Sequence, residues 1–143
     1  MPQNQADHWE FECVAQTVRR ASRLISRRYE DALRPVDLTS SQYTILQSLQ
    51  GREGLPFGLM AKILGFDQTT LSRLVKPLVK RRLVTIVANP KDRRRRSVRT
   101  SAAGSALFAK AKIHWQREHD ESLKRMTKNE WQTMQRVTRL LSQ

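Results

Sequence analysis

The chain has 143 residues, 38% of them apolar, with 27 Lys and Arg against 13 Asp and Glu, a formal net charge of +14. That length supports one domain with its own core, while the single Cys13 excludes an intrachain disulfide framework or a multi-cysteine zinc site. No apolar run reaches the roughly 20 residues of a membrane span, and the polar, acidic residues 1–12 do not have the form of a signal peptide, so a soluble cytoplasmic protein is expected.

In chain order, residues 9–33 carry Val14, Val18, Ala21, Ile25, Tyr29 and Ala32 at spacings of three and four, one face of a long helix that Pro35 ends. Thr39-Ser40-Ser41-Gln42 has capping-box form and opens a second helix through Tyr43, Ile45, Leu46 and Leu49. Gly51 and Gly54 close it, and Pro56 suits the start of a third helix, residues 57–64. Gly65 and Phe66 make a tight connection, and Asp67 is a good N-cap for a fourth helix running to about Arg82. Pro77 lies inside that helix, where it removes a backbone hydrogen bond and predicts a bend.

Two helices joined by a short glycine turn form a helix-turn-helix. A β-prone strand at residues 84–88 follows, then the turn formers Asn89 and Pro90, a charged tip at residues 91–96 and a return strand at residues 97–100. Ser101 caps a fifth helix with Leu107, Ala111, Ile113, Trp115 and Leu123. Thr127-Lys128-Asn129-Glu130 is a second capping box, opening a last helix with Trp131, Met134, Val137 and Leu141 on one face. The expected fold is mainly α: a winged helix-turn-helix with a small β-hairpin wing, flanked by N- and C-terminal helices.

The charge is concentrated. Residues 67–100 hold 11 basic and 2 acidic side chains, +9 of the +14, interleaved with Leu71, Leu74, Val75, Leu78, Leu83, Val84, Ile86 and Val98. A disordered tail would not carry that apolar pattern, so the patch is structured and a polyanion is its expected partner. The apolar fraction lies below the roughly 45–50% of an ordinary domain, which points to thin, elongated packing or to a core completed by a second subunit.

The order and spacing of several pieces resemble the MarR family of bacterial transcription regulators over nearly the whole chain. They are Leu38-Thr39-Ser40-Ser41-Gln42-Tyr43, Asp67-Gln68-Thr69-Thr70-Leu71-Ser72-Arg73, Arg82-Leu83-Val84, Asn89-Pro90-Lys91-Asp92-Arg93-Arg94 and Ser101-Ala102-Ala103-Gly104. The family's wing reads Asp-x-Arg-Asp-x-Arg; here Asn89 and Lys91 replace the first pair, and Asp92 and Arg94 keep the second. The resemblance implies one MarR-type domain over residues 1–143. Residues 1–37 and 101–143 would form dimerisation helices and residues 38–100 the DNA-binding region. It also implies a homodimer on a pseudo-palindromic operator, released by a small ligand or by oxidation.

A recognition helix reads base edges from its first turns, where short polar side chains and Arg reach donors and acceptors. Gln68, Thr69, Thr70, Ser72 and Arg73 supply those types and Lys76 adds a cation, although Asp67 and Thr70 also suit plain capping. Arg93, Arg94, Arg95 and Arg96 suit a narrow minor groove or phosphate, with Arg94 matching the family's wing residue. Trp9, Tyr43, His114 and Trp115 are candidates for a ligand pocket, or simply core aromatics. The family's hydroperoxide-sensing branch places its cysteine where this chain has Ala15 and an activating tyrosine where it has Ser40. Cys13 is two residues away, about 200° around the helix, and a buried inert thiol is the expectation.

Of His8, His114 and His119, the pair 114/119 is spaced i, i+5, unsuited to a shared metal, and Glu118 is a possible partner for His114, one acid and one His being too few for a site; no metal, cofactor or catalytic group is expected. The reading is a cytoplasmic, homodimeric, double-stranded-DNA-binding repressor with a small-molecule effector, no membrane partner and no enzymatic activity. A nucleoid-type protein without sequence preference, or a redox regulator using Cys13, is the alternative. RNA binding would call for aromatic platforms, and residues 67–100 contain no Phe, Tyr or Trp. Cutting after Thr100 is expected to leave a soluble monomer that binds DNA weakly.

Overall fold

The computed structural model describes residues 13–89 and 92–143, and only the backbone of Asn89, Arg93 and Arg94. His8, Trp9 and the turn pair Pro90 and Lys91 lie outside the described residues. Helix α1 (Val14–Leu33) stops short of Pro35, and a 3-10 turn follows over Arg34–Val36. Asp37 then takes a left-handed φ of 52°, and Thr39 caps α2 (Ser40–Leu49). The capping box is complete: the Gln42 N–H donates to Thr39 Oγ1 and the Thr39 N–H to Gln42 Oε1, both at 3.1 Å.

Strand β1 (Leu55–Pro56) leads into α3 (Phe57–Leu64), and Gly65, at φ +71°, turns the chain into α4 (Gln68–Lys80). Strands β2 (Val84–Asn89) and β3 (Asp92–Thr100) form the hairpin. The two-residue β1 was not anticipated. It pairs antiparallel to β3, Leu55 with Val98 and Pro56 with Ser97, giving the sheet order β1-β3-β2. Proline is tolerated there because an edge strand needs no N–H on its open side.

Helix α4 ends at Lys80 rather than Arg82. Arg82 adopts φ +57°, its N–H donates to the Val79 carbonyl and the Leu83 N–H to the Leu78 carbonyl, both at 2.9 Å. That is a Schellman closure with arginine where glycine is usual. It turns the chain straight into β2.

Helix α5 (Ala102–Leu123) starts from Ser101, whose Oγ accepts the Gly104 N–H at 3.0 Å and donates to the Arg82 carbonyl at 2.7 Å. Gly104 is required for the packing: a Cβ there would lie 2.0 Å from the Leu83 carbonyl oxygen. The core joins α2, α3, α4 and the sheet through Ile45, Leu46, Met60, Leu71, Leu78 and Val98, and α5 adds Ala111 with Leu107, Phe108 and Trp115 packed beside it. The start of α5 therefore belongs to the winged core. A cut after Thr100 would remove Ala111 and the Gly104 contact from that core.

The two ends differ. Every residue from Cys13 to Leu24 is exposed, and in α6 (Lys128–Leu141) only Trp131 reaches partial burial. Val14 is 68% exposed and Leu141 63%. The predicted stripes exist as helices: α1 packs on α5 at Tyr29, while among the described residues its first turns and most of α6 stay uncovered.

Candidate nucleic-acid interface

Helix α4 sets out two parallel rows. Its start is fixed by Asp67, which accepts the Thr70 N–H at 2.8 Å and the Thr70 hydroxyl at 2.6 Å. Those bonds, the hydroxyl's first, hold the Asp67 carboxyl below its ordinary value. Thr70 is half-buried, with its one hydroxyl proton committed to the cap. Thr69, Arg73, Lys76 and Lys80 are spaced i, i+4, i+7 and i+11, so they share one face, and all four are exposed. Gln68, Ser72, Val75 and Val79 form the neighbouring row, which turns toward the wing. Lys80 escaped the sequence reading although its spacing from Arg73 and Lys76 is the signal that places it.

The wing departs from the expected tip. The arginines lie inside β3: Asn89 pairs with Asp92 and Ala88 with Arg96, so Arg93, Arg94 and Arg95 are extra residues at a break in register. A bulge ends strict alternation along the strand. The Asp92 carboxylate lies 3.6 Å from Arg95 Nε. The second acidic position of the wing therefore still braces it, although the first is Asn89.

Between α4, the start of α3 and the wing runs an open groove of about 910 Å³. Phe57, Leu59, Val79 and Ile86 give it an apolar surface, while Arg73, Lys76, Arg95 and Arg96 surround that surface with cations. Asp92 is the acid set against them among the described residues of the wing and of α4 past its cap. The field over this face is strongly positive, and a phosphate backbone is the ligand it favours.

A further arginine positions the reader. Arg81 donates to the Asp37 carbonyl at 2.6 Å and sets a second guanidinium nitrogen 3.8 Å from the Asp37 carboxylate. This ties the end of α4 to the turn after α1 across 44 residues of sequence. No local spacing signals it.

Of the pocket candidates, Tyr43 and Trp115 stack face to face, ring centroids 4.1 Å apart at 15°, with Phe108 and Tyr29 against them. Burial pushes the Tyr43 phenol up to about 12, and burial first, then Glu118, raises Tyr29. The rings fill the space between themselves. His114 is half-buried and outside that stack among the described residues, and Trp9 lies beyond them. Glu118 is committed elsewhere than His114: it accepts from Arg28 Nε at 2.6 Å and from the Ser122 hydroxyl at 2.9 Å. Cys13, expected to be buried, is exposed at the start of α1, where residues 13–24 are all exposed. Ser40 bonds Glu30 through both its N–H and its hydroxyl.

A model of the MarR family matches residues 36–95, from the end of α1 through the bulged part of the wing. The multiple antibiotic resistance protein MarR of Escherichia coli (strain K12) is 27% identical over 110 residues, 76% of this chain and 76% of that protein. Among solved structures, the M. tuberculosis transcriptional regulator MOSR, determined in complex with DNA, superposes with a TM-score of 0.83 at 28% identity, covering 92% of this chain and 94% of that one. Bordetella bronchiseptica BpsR gives a TM-score of 0.81 at 21% identity, covering 94% and 97%. A fold shared along nine-tenths of the chain, and a MarR-family sequence pattern over residues 36–95 running from the helix-turn-helix into the wing, are what this chain has in common with the MarR family of transcription regulators.

Proposed function

We propose that the protein is a homodimeric repressor that reads a two-fold operator and is released by a small ligand. The observation that carries this is the exposed row Thr69, Arg73, Lys76 and Lys80 beside the cationic groove. In this reading α4 enters the major groove. Thr69 and Arg73 address base edges, with Gln68 and Ser72 flanking them, and Lys76 and Lys80 hold phosphate. The wing arginines, Arg93 to Arg96, follow the backbone into the adjacent minor groove.

The second copy is supported by the ends of the chain. Isolated helices of a few turns are marginal in water, and most helical stability in proteins comes from packing an apolar face. The uncovered stripes of α1 and α6 meet that need if each lies on its equivalent across a two-fold axis. Two copies then set two recognition helices about one turn of DNA apart, 10–10.5 base pairs. A dimer covering both half-sites blocks a promoter by occupancy alone.

Regulation of DNA binding by 6-hydroxynicotinic acid is described for the Bordetella neighbour. In this chain the Tyr43–Trp115 stack is closed by its own rings, whereas the groove between α4 and the wing is open and mixes apolar walls with cations. A small amphipathic anion seated there would occlude the DNA-reading row directly.

Selection of bound sequences from a random duplex pool tests the reading. A two-fold consensus is expected. Arg73→Ala is expected to relax one symmetric position, at about 1–3 kcal/mol per base contact. Arg94→Ala and Arg96→Ala are expected to weaken all sequences evenly and flatten the salt dependence by about 0.9 per phosphate contact. Equal binding of selected and scrambled duplexes at every salt concentration would leave a nucleoid-type protein in place of a regulator.

A further inference from the structure

Helix α1 carries a second concentration of positive charge that the DNA-reading face does not use. Arg19, Arg20, Arg23 and Arg27 are all exposed, and none makes an ion pair with a described residue. At about 100° per residue the four fall within roughly 100° of arc on the helix surface. Val14, Val18, Ala21 and Ile25 lie on the opposite side. A second copy that covers the apolar stripe therefore leaves the arginines facing solvent.

Three pairs, 19/23, 23/27 and 20/23, sit at i+4 or i+3, where like charges destabilise a helix. The acids of α1 do not relieve them: Glu30 accepts from Ser40, and Asp31 pairs with Arg34. The residue type matters as well. A guanidinium is permanently charged and its planar fork matches phosphate oxygens in pairs. Arg19 and Arg27 are about 12 Å apart along the helix axis, a length over which duplex DNA presents about seven phosphates.

We propose that the outer face of α1 is a second DNA-backbone site, so that a dimer already seated on its operator captures another duplex without sequence preference. This rests on the DNA-binding reading above and extends it from one bound duplex to two. The site holds backbone, since a guanidinium paired with phosphate carries no sequence information.

The test uses the full-length dimer saturated with an unlabelled operator duplex, to which a fluorescent scrambled duplex is added at 50 mM salt. The wild type is expected to form a ternary complex, seen by anisotropy and by sedimentation. Its affinity for the second duplex is expected to fall roughly 10²-fold by 200 mM salt, as four phosphate contacts require. Arg19→Gln/Arg20→Gln/Arg23→Gln/Arg27→Gln is expected to lose the second duplex while binding operator within about twofold of wild type. Glutamine keeps a good helix former at each position, and an unchanged sedimentation coefficient of the free dimer controls for assembly.

A wild type that saturates at one duplex per dimer overturns the proposal, as does a quadruple variant that still captures the second. Capture of polyglutamate but not of duplex would also overturn it, by assigning the stripe to an acidic protein. A wild type that fails to bind the first duplex defeats the DNA-binding reading itself, a separate result.

Discussion

Between Leu33 and Ala111 a single core buries Leu33, Tyr43, Leu46, Met60, Leu71, Leu78 and Val98 against one another, whereas Val14, Val18, Met134, Leu140 and Leu141 stay exposed on helices of equally regular spacing. The winged region closes on itself because four helices and a three-stranded sheet converge on Tyr43, Leu46, Leu71 and Val98. The first turns of α1 and nearly all of α6 have no such neighbours. Periodicity announces that a face will be covered; it does not say by what. The uncovered faces lie toward the two chain ends and the charged face lies between them, so the proposed assembly and the proposed DNA reading fall on different surfaces.

The sharpest way to break that contrast is to remove one end. A chain stopped after Met126 loses α6, which contributes no buried residue to the single chain. It is expected to keep a cooperative melt and to sediment as a monomer. Loss of the second half-site is expected to lower operator affinity by about 10²–10⁴-fold, the usual range for lost bivalency. A truncated chain that still dimerises would move the interface away from α6 and undo the contrast drawn here.

Gly104→Ala attacks the self-contained side. The added Cβ would meet the Leu83 carbonyl oxygen at 2.0 Å and Thr100 Oγ1 at 2.7 Å. That same carbonyl accepts the Ser101 N–H at 3.0 Å and shares the Ser101 hydroxyl proton with the Arg82 carbonyl, so α5 cannot back away without loosening these bonds. Overpacking plus weakened buried hydrogen bonds gives an expected loss of about 3 kcal/mol. Urea denaturation checks it, and a loss below about 1 kcal/mol would show that the helix yields freely. The dimer interface is expected to be untouched once the variant is folded.

Most of this architecture was legible because its signals are local. Two capping boxes, two left-handed glycines and the 3.6-residue stripes each fix an element without reference to the rest of the chain. Three features were not. Strand β1 has two residues and exists only because Val98 and Ser97 lie alongside. The Arg81–Asp37 clamp joins residues with no common periodicity. The burial of α5 is the third: helical spacing does not separate a face packed within its own chain from one left exposed, and α5 buries Ala111 while Ile113 remains 64% exposed. Within the candidate site, residue types and the α4 spacing placed Thr69, Arg73 and Lys76 on one exposed row. The bulge that takes the arginines out of a tip depends on strand register, which composition does not encode.

A smaller effect separates capping from reading at the start of α4. Asp67 accepts two hydrogen bonds from Thr70, and its carboxyl is held low, so its contribution is present above the ordinary carboxylate range and lost as pH falls through the depressed folded value. Asp67→Asn keeps an equally good cap and removes a negative charge from a face that meets phosphate. Unchanged melting at neutral pH with tighter operator binding at low salt is expected. Asp67→Ala is expected to melt lower, and its deficit against wild type should shrink in acid, below pH about 4. Identical melting of the Ala variant and wild type at neutral pH would show that the cap is idle.

The smallest effect is expected at Arg82, where the two demands on the winged region compete. An L-residue held at φ +57° is strained by about 1–2 kcal/mol, and glycine would relieve that strain. Glycine also loosens the unfolded chain, which offsets about 0.4–1 kcal/mol of the gain. The net for Arg82→Gly is a stabilisation of about 0.5 kcal/mol, a rise in melting temperature of about 1–3 °C. The Schellman bonds from Arg82 and Leu83 are made by backbone atoms and survive the change, as does the Ser101 hydroxyl bond to the Arg82 carbonyl. What the variant loses is an exposed guanidinium in the +9 segment. Operator binding is therefore expected to weaken by less than tenfold at low salt and to match wild type at high salt, where exposed charges are screened. A lower melting temperature would place the αL strain elsewhere. A higher one with unchanged binding would mean that Arg82 is kept for something other than the DNA field, because by folding alone glycine is the better residue there.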